Sequence, residues 1–200
     1  MEPLHPIEIR VLGALLEKEL TTPEYYPLTV NALQNACNQK SSRDPVVHYD
    51  ESTVEQALEL LRVKHLSVKV SGAGHRVEKY AHRLGETFNL GRRESALLCV
   101  LMLRGPQTVG ELRGRTERMH DFGDLDEVER VLESLAHHEP EPFVARLPRG
   151  RWAQLLGGTP EVPTEADAPV ALSMSSALEE RVSALEREVR ELKEKLAGLL

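Results

Sequence analysis

Residues 52–83 read STVEQALELLRVKHLSVKVSGAGHRVEKYAHR, and the period of the apolar residues changes once within them. Val54, Ala57, Leu58 and Leu61 recur at helical spacing, which predicts an amphipathic helix, with Ser52 and Glu55 at capping-box spacing ahead of it. From Leu66 the period becomes two: Leu66, Val68 and Val70 alternate with Ser67, Lys69 and Ser71, as in a strand buried on one face. Gly72-Ala73-Gly74 permits a tight reversal, and Val77 to His82 returns as a second strand. A helix running directly into a hairpin is the closing half of a winged helix. The residues upstream are expected to supply the rest.

Working outward, Ile7, Val11, Leu12, Leu15 and Leu16 form the stripe of a first helix, with Pro6 in its first turn and Glu8, Glu17 and Lys18 outside the stripe. Thr21-Thr22-Pro23 stops that helix, and Tyr25-Tyr26-Pro27-Leu28 can supply a short extended piece. Thr29 is a candidate N-cap for a second helix over about Val30 to Gln39, and the polar loop Ser41-Ser42-Arg43-Asp44-Pro45 leads on to the third.

Downstream the same order repeats. Ala96 to Leu103 is an apolar helix closed by Gly105-Pro106, and Thr108-Val109 starts a short helix as Thr29-Val30 does. Leu125, Val128, Leu132 and Leu135 mark a third helix with Asp124 available as its cap. Phe143 to Leu147 and Trp152 to Leu156 can pair around Pro148-Arg149-Gly150-Arg151 as a second wing. The expected fold is therefore mainly α with small β-hairpins (α+β): winged helices over 1–86 and 87–157, each containing a helix-turn-helix.

Residues 158–173 are rich in Pro and in small or acidic residues and read as a flexible linker. Residues 174–200 carry heptads, with Val182, Val189 and Leu196 at a and Leu178, Leu185, Leu192 and Leu199 at d. β-branched a positions with Leu at d favour a parallel two-stranded coiled coil. In that arrangement Arg181 meets Glu186 of the partner subunit and Glu188 meets Lys193 of the partner subunit, both attractive, so a homodimer is expected. The alternative is a single amphipathic helix docked on its own chain.

The blocks Arg76-Val77-Glu78-Lys79-Tyr80-Ala81-His82-Arg83, Leu97-Leu98-Cys99-Val100-Leu101-Met102-Leu103-Arg104-Gly105-Pro106-Gln107-Thr108 and Gly110-Glu111-Leu112-Arg113 resemble the YceH-like family of bacterial proteins. The resemblance covers about residues 4–157. It implies two winged helices, commonly with a C-terminal coiled-coil segment, and brings no established activity. One departure is His65-Leu66-Ser67-Val68, where a Gly-Leu-Val-like turn from helix to strand is implied.

Composition narrows the function classes. The 200 residues carry 25 Lys+Arg and 32 Asp+Glu, a formal charge of −7, which argues against a strongly basic nucleic-acid binder. Four of those seven negative units fall within residues 158–200, so the two folded segments are nearly neutral. Two widely spaced cysteines, Cys37 and Cys99, fit a reducing cytoplasm and core positions. No signal peptide and no apolar run of membrane-spanning length is visible, so a cytoplasmic protein without a membrane partner is expected.

Double-stranded DNA is the first candidate partner. A winged helix normally lays its third helix in the major groove, yet here the first third helix carries Glu51, Glu55 and Glu59, and the second carries Asp124, Asp126, Glu127, Glu129 and Glu133. Basic residues gather elsewhere: Lys69, Arg76, Lys79 and Arg83 around the first wing, Arg113, Arg115 and Arg118 beside the second helix of the repeat, and Arg149 and Arg151 on the second wing. DNA, if bound, is expected on these residues with Lys40 and Arg43; the alternative is a solvated surface of scattered charges. The second candidate partner is a protein chain. Tandem winged helices also occur as adaptors, such as the segregation and condensation proteins that embrace a partner, an analogy of architecture alone. No enzyme, cofactor or metal is expected: phosphate-loop, Gly-x-Ser-x-Gly and His-Glu-x-x-His motifs are missing, and His137-His138 read as helix-end residues.

Overall fold

The computed structural model describes residues 2–70 and 77–158. Arg76, the linker from residue 159 and the heptad positions Leu178, Val182, Leu185, Val189, Leu192, Leu196 and Leu199 lie outside the described residues. The described residues form a mixed α+β structure with two small antiparallel sheets.

Helix α1 spans Pro6–Thr21. Its N-terminus is closed reciprocally: the His5 ring accepts from the Ile7 N–H, and Glu8 accepts from the His5 N–H at 2.7 Å. Glu8, expected outside the apolar stripe, is only 2 % exposed. Its burial is tolerated because Lys64 Nζ lies 2.8 Å from its carboxylate. Helix α2 (Val30–Cys37) is capped by Thr29, whose hydroxyl accepts from the Ala32 N–H. Helix α3 (Glu51–Val63) starts earlier than the Ser52–Glu55 spacing implied. Asp50 is the cap, accepting from the Thr53 N–H at 2.8 Å, and the Ser52 hydroxyl donates to the same carboxylate. A carboxylate meets both the orphan N–H groups and the positive end of the helix dipole.

At the end of α3 the departure at His65 has a structural answer. His65 adopts φ +60°, the left-handed conformation that glycine favours. Its N–H donates to Arg62 O and the Leu66 N–H to Leu61 O, the two bonds of a Schellman cap. The turn geometry is thus retained with histidine in the glycine position.

Strand β1 (Ser67–Val70) pairs antiparallel with β2 (Lys79–His82), matching Ser67 with His82 and Val70 with Lys79. Leu28 adds a bridge on the far side of β2 through reciprocal bonds with Tyr80. The alternation expected along β1 does not decide its buried side: Ser67 is buried, and Val70 is exposed. Ser67 can be buried because its hydroxyl donates to Leu58 O at 2.9 Å.

A short helix that the sequence reading did not anticipate, α4 (Leu84–Phe88), follows β2 and contains the expected segment boundary at residue 86. Helix α5 (Arg92–Arg104) comes next, then β3 (Gln107–Thr108), α6 (Val109–Thr116), α7 (Leu125–Ala136), β4 (Val144–Leu147) and β5 (Arg151–Gln154). Thr108 and Glu111 form a capping box on α6, and Asp124 caps α7. The sheet order is β3-β5-β4, and in the first half Leu28 likewise pairs with the last strand of the hairpin. Both halves therefore follow the order helix, short extended piece, helix, helix and hairpin.

The halves share one continuous core. Ser95 to Leu103 of α5 are all buried, because α1 covers one side while α6, α7 and β5 cover the other. Gly13 permits the approach of α1: a Cβ there would lie 3.0 Å from Leu103 Cδ2 and 3.1 Å from Met102 Cβ. Leu4 N–H donates to Leu156 O at 2.7 Å, tying the start of α1 to the end of the second half.

Candidate nucleic-acid interface

The third helices present acidic and apolar groups to solvent. On α3, Glu51, Glu55 and Glu59 are exposed, and Leu60 and Val63 are 50 % and 67 % exposed. Arg62, the nearest cation, is held by Glu59 at 2.9 Å. On α7, Asp126 is exposed with Arg130, while Glu129 lies 3.6 Å from Arg146. A phosphate approaching either face would meet carboxylates first.

Basic residues of the first half are mostly committed. Lys69 pairs with Glu78, and Arg83 reaches Glu86 at 3.0 Å. Lys79 and Lys40 have no charged partner among the described residues. Arg43, expected among the DNA-facing residues, is instead buried, its side chain wholly inaccessible. Its guanidinium donates to both Glu17 oxygens, at 3.0 and 2.6 Å, and to Ala36 O, Gln39 Oε1 and Ser42 O. Burial pushes the Glu17 carboxyl up, but the hydrogen bonds and charge of Arg43 outweigh it and hold the group below its ordinary value. Arg43 is thus a pin between α1 and the loop after α2, with no donor left for phosphate.

In the second half the basic residues converge. Arg113 is structural, donating to Phe122 O and Gly123 O to hold the turn between α6 and α7. Arg115 and Arg151 both face Glu111, at 3.4 and 4.0 Å, so α6 and the β4–β5 hairpin share one carboxylate. Hydrogen bonds from Thr108 hold Glu111 below its ordinary value, aided by the two arginines. Arg149 sits exposed in the turn between β4 and β5 with φ +61°, and Arg118 is exposed beyond α6. Arg146 adds a third arginine on this hairpin, 5.9 Å above the Trp152 ring.

Arg104 and Lys18 complete this region and were not legible in the sequence. Arg104, the last residue of α5, donates to Ser42 Oγ at 2.7 Å, and burial followed by the charges of Arg115 and Arg43 draws its pKa down. Nothing in the linear order shows that the end of α5 lies beside Arg115. Cys37 and Cys99 are buried, and burial pushes the Cys37 thiol up to about 12 and the Cys99 thiol higher still, so neither is a ready nucleophile. His137 caps α7, its Nδ1 lying 2.8 Å from Glu133 O, as its helix-end position implied. Among the described residues no three His, Cys, Asp or Glu side chains are grouped to hold a metal ion, and no helix is long and apolar enough to cross a membrane.

Comparison with known proteins gives the relationship. Residues 4–151 match the family described as "Protein of unknown function, DUF480". A UPF0502 protein of Solibacter usitatus is 58% identical over 196 residues, covering 95% of this chain and 93% of its own. One of Opitutus terrae is 56% identical over 172 residues, 83% and 75% respectively, and one of Serratia proteamaculans is 47% identical over 203 residues, 96% and 94%. With the repeated halves, the shared core and this identity along nearly the whole chain, the protein belongs to the DUF480 family, the UPF0502 or YceH-like proteins.

Proposed function

We propose that this is a tandem winged-helix protein that associates with double-stranded DNA through phosphate contacts, as a homodimeric, non-enzymatic regulator joined by its C-terminal heptads. One observation carries the reading: Arg151 and Arg115 flank a single carboxylate, Glu111, so the second wing and α6 present their cations side by side, with Arg149 exposed at the wing tip. Backbone contact of this kind positions a protein on a duplex without reading bases. The acidic faces of α3 and α7 oppose base reading by those helices.

Fluorescence anisotropy with a short duplex tests it. Binding should weaken steeply between about 50 and 200 mM salt, with a log–log slope that falls by about 1 for each phosphate contact removed. Arg149→Ala with Arg151→Ala should therefore lower the slope by about 2. Absence of binding at low salt ends the DNA reading. A second reading, an adaptor for a partner chain, draws support from Leu60 and Val63, exposed on α3 beside Glu55 and Glu59. An apolar-acidic face suits a basic amphipathic segment, and that association would resist salt far better.

A further inference from the structure

A recess of about 220 Å³ lies between α1, the loop after α2, α5 and the end of α6. Four cations, Lys18, Arg104, Arg115 and Arg118, line it against one carboxylate, Glu17. That carboxylate is already engaged, both oxygens accepting from Arg43. Arg104 spends a single hydrogen bond, on Ser42 Oγ, and Arg118 has no partner among the described residues. Ser42 holds that hydroxyl from a backbone with φ +61°, a conformation serine seldom takes. Gathering guanidinium groups in a partly enclosed recess is unfavourable unless an anion joins them, and the depressed pKa of Arg104 has that repulsion among its causes.

The size selects the ligand. The recess is smaller than the roughly 300–1,000 Å³ of sites for drug-sized molecules. It is several times the roughly 30 Å³ that a water occupies in the liquid. A duplex cannot enter a recess of this size, whereas one or two phosphoryl groups can, and guanidinium forks match phosphate oxygens bidentately.

We propose that the recess formed by Lys18, Arg104, Arg115 and Arg118 binds a small pyrophosphoryl-bearing anion that bridges the two halves of the chain. The site shares Arg115, which lies 3.4 Å from Glu111, with the surface that carries the DNA reading, but Lys18, Arg104 and Arg118 stand apart from the Arg115–Glu111–Arg151 group, so the two proposals can fail separately. The full-length protein is titrated with sodium pyrophosphate by calorimetry, and thermal unfolding is followed with pyrophosphate and with sodium chloride of matched ionic strength. Pyrophosphate should raise the unfolding temperature beyond the chloride control. Arg104→Gln and Arg118→Gln should each weaken binding about ten-fold or more, as expected for loss of a charged contact. Arg130→Gln, on the solvent face of α7, should leave it unchanged. If Arg104→Gln destabilises the unliganded protein, Arg118→Gln decides the matter, since Arg118 holds nothing in the described structure. An equal rise in chloride, or unchanged affinity in Arg118→Gln, overturns the proposal. So does failure of pyrophosphate to bind while Arg104→Gln combined with Arg118→Gln loses duplex binding, which would make the recess a DNA-backbone contact.

Discussion

Replacing Arg43 with alanine separates a structural pin from a surface cation. The substitution removes the two bonds to Glu17, at 3.0 and 2.6 Å, and those to Ala36 O, at 3.1 and 2.8 Å. Breaking a buried ion pair from one side costs about 3–5 kcal/mol, because the remaining charge stays buried. Glu17 keeps Lys18 at 3.5 Å, and its side chain is 14% exposed, which places the loss at the lower end, about 3 kcal/mol. For a chain of this size that corresponds to a fall of about 6–12 °C in unfolding temperature, read by circular dichroism.

The pH dependence has a definite sign. Glu17 is held below its ordinary value in the folded protein, so its pairing stabilises above the unfolded pKa of about 4.3 and is lost as pH falls through the folded value. The gap between wild type and Arg43→Ala should therefore be full at neutral pH and narrow in acid. Glu17→Gln placed in the Arg43→Ala background should recover part of the loss, since it discharges the orphaned group. A penalty under about 1 kcal/mol at neutral pH would refute the reasoning. A penalty that stays constant into acid would refute it equally and return Arg43 to the set of groups a phosphate could reach.

Two further outcomes follow from the caps and buried pairs. His65→Gly should stabilise the protein by about 0.5–1 kcal/mol, because glycine takes the left-handed φ of +60° without the Cβ penalty; a loss of stability by urea unfolding would show that the His65 side chain carries weight of its own. Lys64→Ala should cost about 2–3 kcal/mol by leaving Glu8 buried without its cation, and Glu8→Gln in that background should restore most of it.

Local patterns made much of the architecture legible. The change from helical period to period two after Leu66, the stop at Thr21-Thr22-Pro23 and the threonine caps at Thr29 and Thr108 depend only on neighbours within a few residues. So does the repeated order of elements. At the start of α3 the Ser52–Glu55 spacing pointed to Ser52, whereas Asp50 is the cap. The candidate site was harder to read, because a basic residue looks the same in sequence whether it faces solvent, a carbonyl or a carboxylate. Arg43, Arg113, Arg149 and Arg118 were indistinguishable there, yet the first is buried on Glu17, the second binds a turn, and the last two are exposed.

Most of the elements, the threonine caps and the apolar stripes that became the core were therefore determined by the sequence itself, because each is governed by interactions a few residues apart, whereas the short helix α4 and the Asp50 cap were not read from it. Tertiary structure alone decided which charges are spent and which are free. Glu8 meets Lys64 because α1 packs on α3, Glu17 meets Arg43 because α1 packs on α2 and the loop after it, and Arg104 comes beside Arg115 because α5 packs on α6. Coulombic pairing depends on distance in space, and the spacing of residues along the chain does not encode it.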